Sequence, residues 1–366
     1  MLSLEKSKLL TETGPGTPTG EMLRHYWHPV ALSAEPLGKP RPIKVLGERL
    51  VLYRGEGGQP HLIAERCPHR GTSLAEGRVC GDTIRCCYHG WLFDGKGNCL
   101  EQPGEPADSR YASRVKITAY PVLERYGMLW AYLGKGEPPA LPAYDILARE
   151  DGVTRVARAE VKCNYFQVLE NSLDPVHTSI LHVDTDLEET YREVPQFECE
   201  RTELGVRSVT WRAESQYRRK VEVALPTLTR VTLPYMQPAV QMGFWITPAD
   251  DHNCTMFFSN FLPLEADLDA ETIDGKVRRM EFHMFELDPE DRINLSSRVI
   301  RQDIYVCESQ GSIVDRTQEL LGTSDRGVLM LRRAFLEAID KVRAGEAPPG
   351  AAPLEAAGVI HFKEVV

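Results

Sequence analysis

Cys67-Pro68-His69-Arg70-Gly71 is followed by Cys86-Cys87-Tyr88-His89-Gly90, with sixteen residues between His69 and Cys86. Each stretch offers one thiolate and one imidazole and then runs into glycine. Zinc fingers built from these residue types pair Cys with Cys and His with His. Here the two types are split between the loops, so that two thiolates can take one iron and two imidazoles the other. That is the ligand set of a Rieske [2Fe–2S] centre, Cys67, His69, Cys86 and His89. Thiolates suit the buried iron, and neutral imidazoles raise the potential of the cluster to about −150 to +300 mV. Glycine beside each ligand lets the backbone approach the sulfurs and donate hydrogen bonds to them. Cys87 competes with Cys86 for the second loop, and C-x-x-H from Cys86 is the spacing that a second Rieske loop uses. Cys80, Cys99, Cys163, Cys199, Cys254 and Cys307 read as thiols without a ligand role.

The surroundings of these loops read as a small all-β domain. Short apolar runs at Ile43–Val45, Leu50–Tyr53, Leu62–Ala64, Val115–Ala119 and Met128–Leu133 are punctuated by Gly and Pro. KGEPPALP at 135–142 reads as a linker. Cys163–Leu181 has helical periodicity, 204–262 alternates like strands, and 276–310 and 326–343 read as helices. The expected domains are an N-terminal helix at 1–24 packed on the catalytic domain, a cluster domain at 25–142, a catalytic α+β domain at 143–343 and a tail at 344–366. The tail's last stretch, VIHFKEVV, reads as a docked strand.

Composition narrows the function. A net charge of −10 and a pI near 5.6 argue against nucleic acid or an anionic membrane as the main partner. No run approaches the roughly 18 apolar residues of a spanning helix. MLSLEKSKLL carries Glu5 and two lysines and does not read as a secretory signal, so the expected location is cytoplasmic. Nine cysteines, an odd number, do not read as a disulfide scaffold.

A second constellation lies at Asn171-Ser172-Leu173-Asp174-Pro175-Val176-His177-Thr178-Ser179-Ile180-Leu181-His182, or N-x-x-D-x-x-H-x₄-H. Two imidazoles plus one carboxylate, with coordination positions left open, form the facial triad of non-haem Fe(II) oxygenases. Alone, His-x₄-His also describes two unrelated helix histidines. A five-residue step turns about 140° on an ideal helix. The helix must therefore bend or loosen between His177 and His182, with Pro175 at a helix start helping. Asp174 before Pro175 also reads as an N-cap, and Glu170 reads as solvated.

CPHRGTSLAEGRV and CYHGWLFDGKGNC resemble the Rieske domain of bacterial ring-hydroxylating and demethylating oxygenases. The likeness extends from about Gly20 to Arg333 and is to the phthalate dioxygenase-like branch, which includes vanillate and dicamba O-demethylases. The resemblance implies an α+β fold: a small all-β Rieske [2Fe–2S] domain plus a helix-grip (START-like) antiparallel-sheet catalytic domain, assembled as a homotrimer. It implies that His177 and His182 bind mononuclear Fe(II). It places the third ligand at Asp303, in RQDIYVCESQG at 301–311, with Glu308 as the runner-up. It also implies that Asp174 links His89 of one subunit to His177 of its neighbour, and that Asn171 lies near the iron in a role left open.

The implied activity is that of a terminal oxygenase component. An NAD(P)H-dependent reductase, with or without a ferredoxin, supplies electrons. O₂ is then used to hydroxylate or oxidatively dealkylate a small aromatic or alkylated substrate. The alternative is a Rieske electron carrier without oxygenase activity. Met236, Met242, Phe244 and Trp245 lie on strand-like segments and are candidates to wall a cavity or simply to pack the core.

Overall fold

The computed structural model describes residues 2–182, 192–214, 217–233, 240–263, 272, 275, 299–351 and 360. The chain divides into two compact units, Arg24–Pro138 and Met1–Leu23 together with Pro139–Val366.

The smaller unit is built from short antiparallel strands. Sheet β1 (Trp27–Leu32), β11 (Met128–Tyr132), β10 (Val122–Arg125) has β11 at its centre. That is why MLWAY is buried along its whole length rather than on alternate residues. A second sheet runs β2 (Arg41–Val45), β3 (Glu48–Arg54), β4 (Pro60–Ala64), β9 (Ala119–Tyr120), and a third runs β5 (Arg78–Cys80), β6 (Thr83–Arg85), β7 (Leu92–Phe93), β8 (Cys99–Glu101). One apolar cluster joins Val51, Ile63, Leu74, Ile84 and Phe93, and it includes the sulfurs of Cys67 and Cys86. Of the expected Val115–Ala119 strand only Ala119 is in a ladder. Val115 instead closes a 3₁₀ turn onto the Ala112 carbonyl, and Ile117 N–H is taken by Gly97.

The larger unit is a seven-stranded antiparallel sheet in the order β12 (Gly152–Val161), β18 (Cys254–Pro263), β17 (Val240–Pro248), β16 (Leu228–Leu233), β15 (Tyr217–Ala224), β14 (Gly205–Arg212), β13 (Gln196–Arg201). Its helices include α1 (Leu4–Thr11), α2 (Pro18–Leu23), α3 (Asp145–Ala148), α4 (Tyr165–Leu173), α5 (Thr178–Leu181), α6 (Val299–Ser309) and α7 (Arg326–Arg343). Val328, Leu331, Phe335, Ala338 and Ile339 recur at three- and four-residue steps on α7 and are buried, which seats this long helix against β13, β14 and α4. Burial of each of Val328, Leu331, Phe335 and Ile339 contributes about 1.5–3 kcal/mol. Glycine at 327 lets the helix approach closely, since a Cβ there would stand 3.0 Å from the Leu173 carbonyl oxygen.

The N-terminal helices pack on the same unit: Tyr165 Oη donates to the Leu10 carbonyl and Asn164 Nδ2 to that of Thr11. At the other end, Ile360 bridges in parallel to Tyr144. The first part of the helix expected at 276–310 lies outside the described residues up to 298, and the described part is α6. Among the described residues no helix is long and apolar enough to cross a membrane.

Candidate active site

The two loops of the smaller unit are built alike. The N–H of Cys67 donates to the Thr72 carbonyl, and that of Cys86 to Trp91. The N–H of Gly71 returns to the Cys67 carbonyl, and that of Gly90 to Cys86. Both glycines sit at positive φ, +76° and +73°, which side chains with a Cβ rarely adopt. The residue before each cysteine is an arginine that clamps the same glycine: Arg66 Nη1 donates to the Gly71 carbonyl at 3.0 Å and Arg85 Nη1 to Gly90 at 2.8 Å. The glycines are thus required by backbone conformation, and their N–H groups go to carbonyls. The N–H groups aimed at the Cys67 sulfur are those of His69 and Arg70.

The side chains sort by exposure as a thiolate/imidazole cluster requires. Cys67 and Cys86 are buried, His69 is exposed and His89 partly so, and Cys87 points outward. Burial pushes the Cys67 thiol up to about 11, with the adjacent Cys86 thiol adding to the shift. The two sulfurs are neighbours, and as thiolates they would share one metal ion. Burial and the neighbouring His69 and Arg70 hold His89 below its ordinary value, in the neutral form that ligates. Its ring lies 4.4 Å, centroid to centroid, from that of His69, which stacks on Trp91 at 4.7 Å. The donor set therefore fits the [2Fe–2S] group.

In the larger unit a helix break makes the second site. Cys163–Leu181, read as helical with a loosening between His177 and His182, forms two helices: α4 ends at Leu173 and α5 is a single turn between His177 and His182. The break falls at Asp174-Pro175-Val176. Asp174 C-caps α4 rather than N-capping the next helix, and its Oδ1 accepts the Val176 N–H at 2.9 Å. Arg212, from β14, holds the short turn by donating to Thr178 Oγ1 and Ser179 Oγ at 2.7 and 3.1 Å.

Asp303 reaches the same point from α6. Its Oδ1 lies 3.4 Å from His177 Nε2 and 3.3 Å from His182 Nε2, and the three groups lie within 4.8 Å of one another. Burial would raise this carboxyl, but the two imidazoles hold it well below the usual carboxylate range. Oδ1 is buried and accepts no hydrogen bond among the described residues, as an atom reserved for a cation would. Two imidazole nitrogens and one carboxylate oxygen facing one point fit a mononuclear iron. Glu308 is elsewhere, accepting the Lys162 N–H at 2.7 Å. Asn171 lies on α4 one turn before Asp174, outside the trio.

Distant residues fix α6 against α4. Gln167, buried on α4, donates to the Cys307 and Gly311 carbonyls and accepts from the Val314 N–H, all within 3.1 Å. Glu170 is buried, not solvated as its local sequence suggests. Its carboxylate takes Arg316 at 2.6 Å and Arg332 at 2.6 Å, and Arg332 also holds Glu319. Gln302, which sequence reasoning missed, contacts His182 Nδ1 through Oε1 at 2.7 Å. Its place directly before Asp303 was the available signal.

Among the cavity candidates, Met242 and Phe244 share a sheet face with Val231 and Thr229, and Thr229 Oγ1 donates to Ser172 of α4. Trp245 lies on the opposite face, 6.2 Å from the Tyr144 ring, and cannot wall the same space. Met236 lies outside the described residues.

Residues 26–121 match the Rieske [2Fe–2S] domain model and 296–366 a model described as LigXa C-terminal domain like. The chain is 35% identical over 356 residues to the 5,5'-dehydrodivanillate O-demethylase oxygenase subunit of Sphingobium sp., covering 95% of this chain and 83% of that one. It is 34% identical over 386 residues to the phenoxybenzoate dioxygenase subunit alpha of Ectopseudomonas oleovorans, covering 97% and 88%. The fold matches dicamba monooxygenase bound to dicamba with a TM-score of 0.68 at 20% identity, covering 88% of this chain and 99% of that one. The chain belongs to the oxygenase subunits of the Rieske oxygenases. It is thus an oxidoreductase and a terminal oxygenase component whose cofactors are a Rieske [2Fe–2S] cluster and a mononuclear iron. The electron-carrier alternative falls, since these relatives are oxygenases.

Proposed function

We propose that Cys67, His69, Cys86 and His89 hold the cluster, that His177, His182 and Asp303 hold the iron, and that the enzyme O-demethylates or hydroxylates a small aromatic compound. The observation that carries the reading is the convergence of His177 Nε2, His182 Nε2 and Asp303 Oδ1 on one point. When bound, the iron supplies activation of O₂ with electrons passed on from the cluster. His177, His182 and Asp303 would hold it with three protein donors, a number that leaves it open to a small molecule.

The protein's own part is to position and to connect. Asp174 turns Oδ2 toward His177 Nδ1, and with its side chain 31% exposed it is open to a second partner. By resemblance to the family the imidazole that meets it is His89, which is partly exposed beside the solvent-facing Tyr88. Within a homotrimer, His89 of one copy would meet Asp174 of the next, so that one carboxylate orients two rings and joins the two centres. Ile180, 70% exposed between the two iron histidines, supplies apolar surface at the same place. An NAD(P)H-dependent reductase, directly or through a ferredoxin, supplies the electrons.

An aromatic substrate suits the apolar sheet face of Met242, Phe244, Phe258 and Val231. Asn260, paired with Met242, adds one buried carboxamide oxygen that accepts no hydrogen bond among the described residues. Relatives named for dehydrodivanillate, phenoxybenzoate and phthalate point the same way. The test is turnover of the iron-loaded enzyme with a compatible reductase against methoxybenzoates, phenoxybenzoates and phthalate. An O₂-dependent product gaining oxygen, or losing methyl as formaldehyde, is expected. Reductant consumption that yields only peroxide with every aromatic compound would reject the substrate class.

A further inference from the structure

The two imidazoles of the trio present the same nitrogen inward and meet different chemistry outward. His177 Nδ1 faces a carboxylate, Asp174, at 3.6 Å. His182 Nδ1 faces a neutral amide, Gln302 Oε1, at 2.7 Å. An amide oxygen can only accept, so in the neutral ring that takes a metal this contact places the proton on Nδ1 and leaves the lone pair on Nε2. Nε2 is the atom 3.3 Å from Asp303 Oδ1.

Gln302 and Asp303 are consecutive on α6, where successive side chains diverge by about 100°. That divergence lets one helix reach both nitrogens of a single ring: Asp303 lies on the Nε2 side and Gln302 on the Nδ1 side. Both His182 and Gln302 are buried, at 0% and 4% exposure, so water does not compete for either atom. The amide carries no charge. It therefore fixes the tautomer without adding a second anion beside Asp303, whereas His177, on the side open to a second copy, is given the carboxylate.

We infer that Gln302 is a positioning residue that selects the His182 tautomer and sets the ring's angle toward the metal. This inference rests on the assignment of His182 as an iron ligand. Outer partners of metal-binding histidines typically change metal affinity by about 10–100-fold.

The test is Fe(II) affinity at the mononuclear site, by chelator competition, in the cluster-loaded protein carrying Gln302→Leu, Gln302→Glu or His182→Ala. The visible absorption of the cluster reports folding of the smaller unit in each, and thermal unfolding by far-ultraviolet circular dichroism reports that of the larger unit, which carries Gln302. Gln302→Leu, which removes the acceptor, is expected to weaken Fe(II) binding by about 10–100-fold with the cluster spectrum unchanged. Gln302→Glu keeps an acceptor oxygen at the same reach and is expected to bind Fe(II) within a few-fold of the unmodified enzyme. Unchanged affinity in Gln302→Leu would overturn the inference, and so would a loss in Gln302→Glu as large as in Gln302→Leu. If Gln302→Leu loses its cluster as well, Gln302→Glu decides alone by retaining or losing the iron. Normal Fe(II) binding in His182→Ala would instead reject the ligand assignment beneath it.

Discussion

Asp174 Oδ2 and His177 Nδ1 lie 3.6 Å apart, on the edge of the imidazole opposite Asp303. The carboxylate's other oxygen is committed to the Val176 N–H at 2.9 Å, so the local turn holds it in place whatever else it meets. Asp174→Asn keeps the shape and the Val176 contact while removing the charge. Both metals are expected to stay bound, with turnover reduced by about 10–100-fold or more. Stopped-flow oxidation of the reduced cluster in the presence of substrate and O₂ should slow in parallel. Normal rates would remove Asp174 from the electron path.

Asp303 and Glu308 are five residues apart on α6, but only Asp303 faces the histidines. Asp303→Ala should lose the mononuclear iron and retain the cluster. Glu308→Gln should keep both and at most loosen the Lys162 contact. Metal analysis of the two proteins side by side checks this.

Cys86 is buried in the cluster loop and Cys87 is exposed. Cys86→Ser should abolish the visible absorption of the cluster, whereas Cys87→Ser should leave it unchanged. The reverse result would exchange the ligand between neighbours.

Glu170 pairs with two buried guanidinium groups, Arg316 and Arg332, the second of which also pairs with Glu319. Removing one partner of a buried pair leaves an uncompensated charge and costs about 3–5 kcal/mol. Glu170→Ala should lower the melting temperature by roughly 10 °C, with the cluster spectrum intact at low temperature. An unchanged melting temperature would show that water compensates the arginines.

What could be read from sequence was what is chemically local. Cys67, His69, Cys86 and His89 lie within a span of 23 residues, and His177 and His182 within one turn and its caps. Five strands of the seven-stranded sheet, β14 to β18, were legible as alternation over 204–262, whereas β12 and β13 lie outside that stretch, and α7 was legible as periodicity. The partners that fix the second site were not legible from spacing, because they are far apart in sequence. Asp303 stands 121 residues after His182. Glu170 looked solvated because nothing near it in the chain announces Arg316 or Arg332, 146 and 162 residues away. The break at Asp174-Pro175-Val176 was misplaced for a related reason: the Asp174 side chain bonds forward to Val176 and ends one helix instead of beginning the next.

The central claim is that one chain holds both an iron–sulfur cluster and a separate iron on His177, His182 and Asp303. Combined iron and acid-labile sulfide analysis of fully loaded protein tests it most directly. About three irons and two sulfides per chain are expected, falling to about two irons with sulfide unchanged in His177→Ala. About two irons per chain in the unmodified protein, or no loss of iron in His177→Ala, would contradict it.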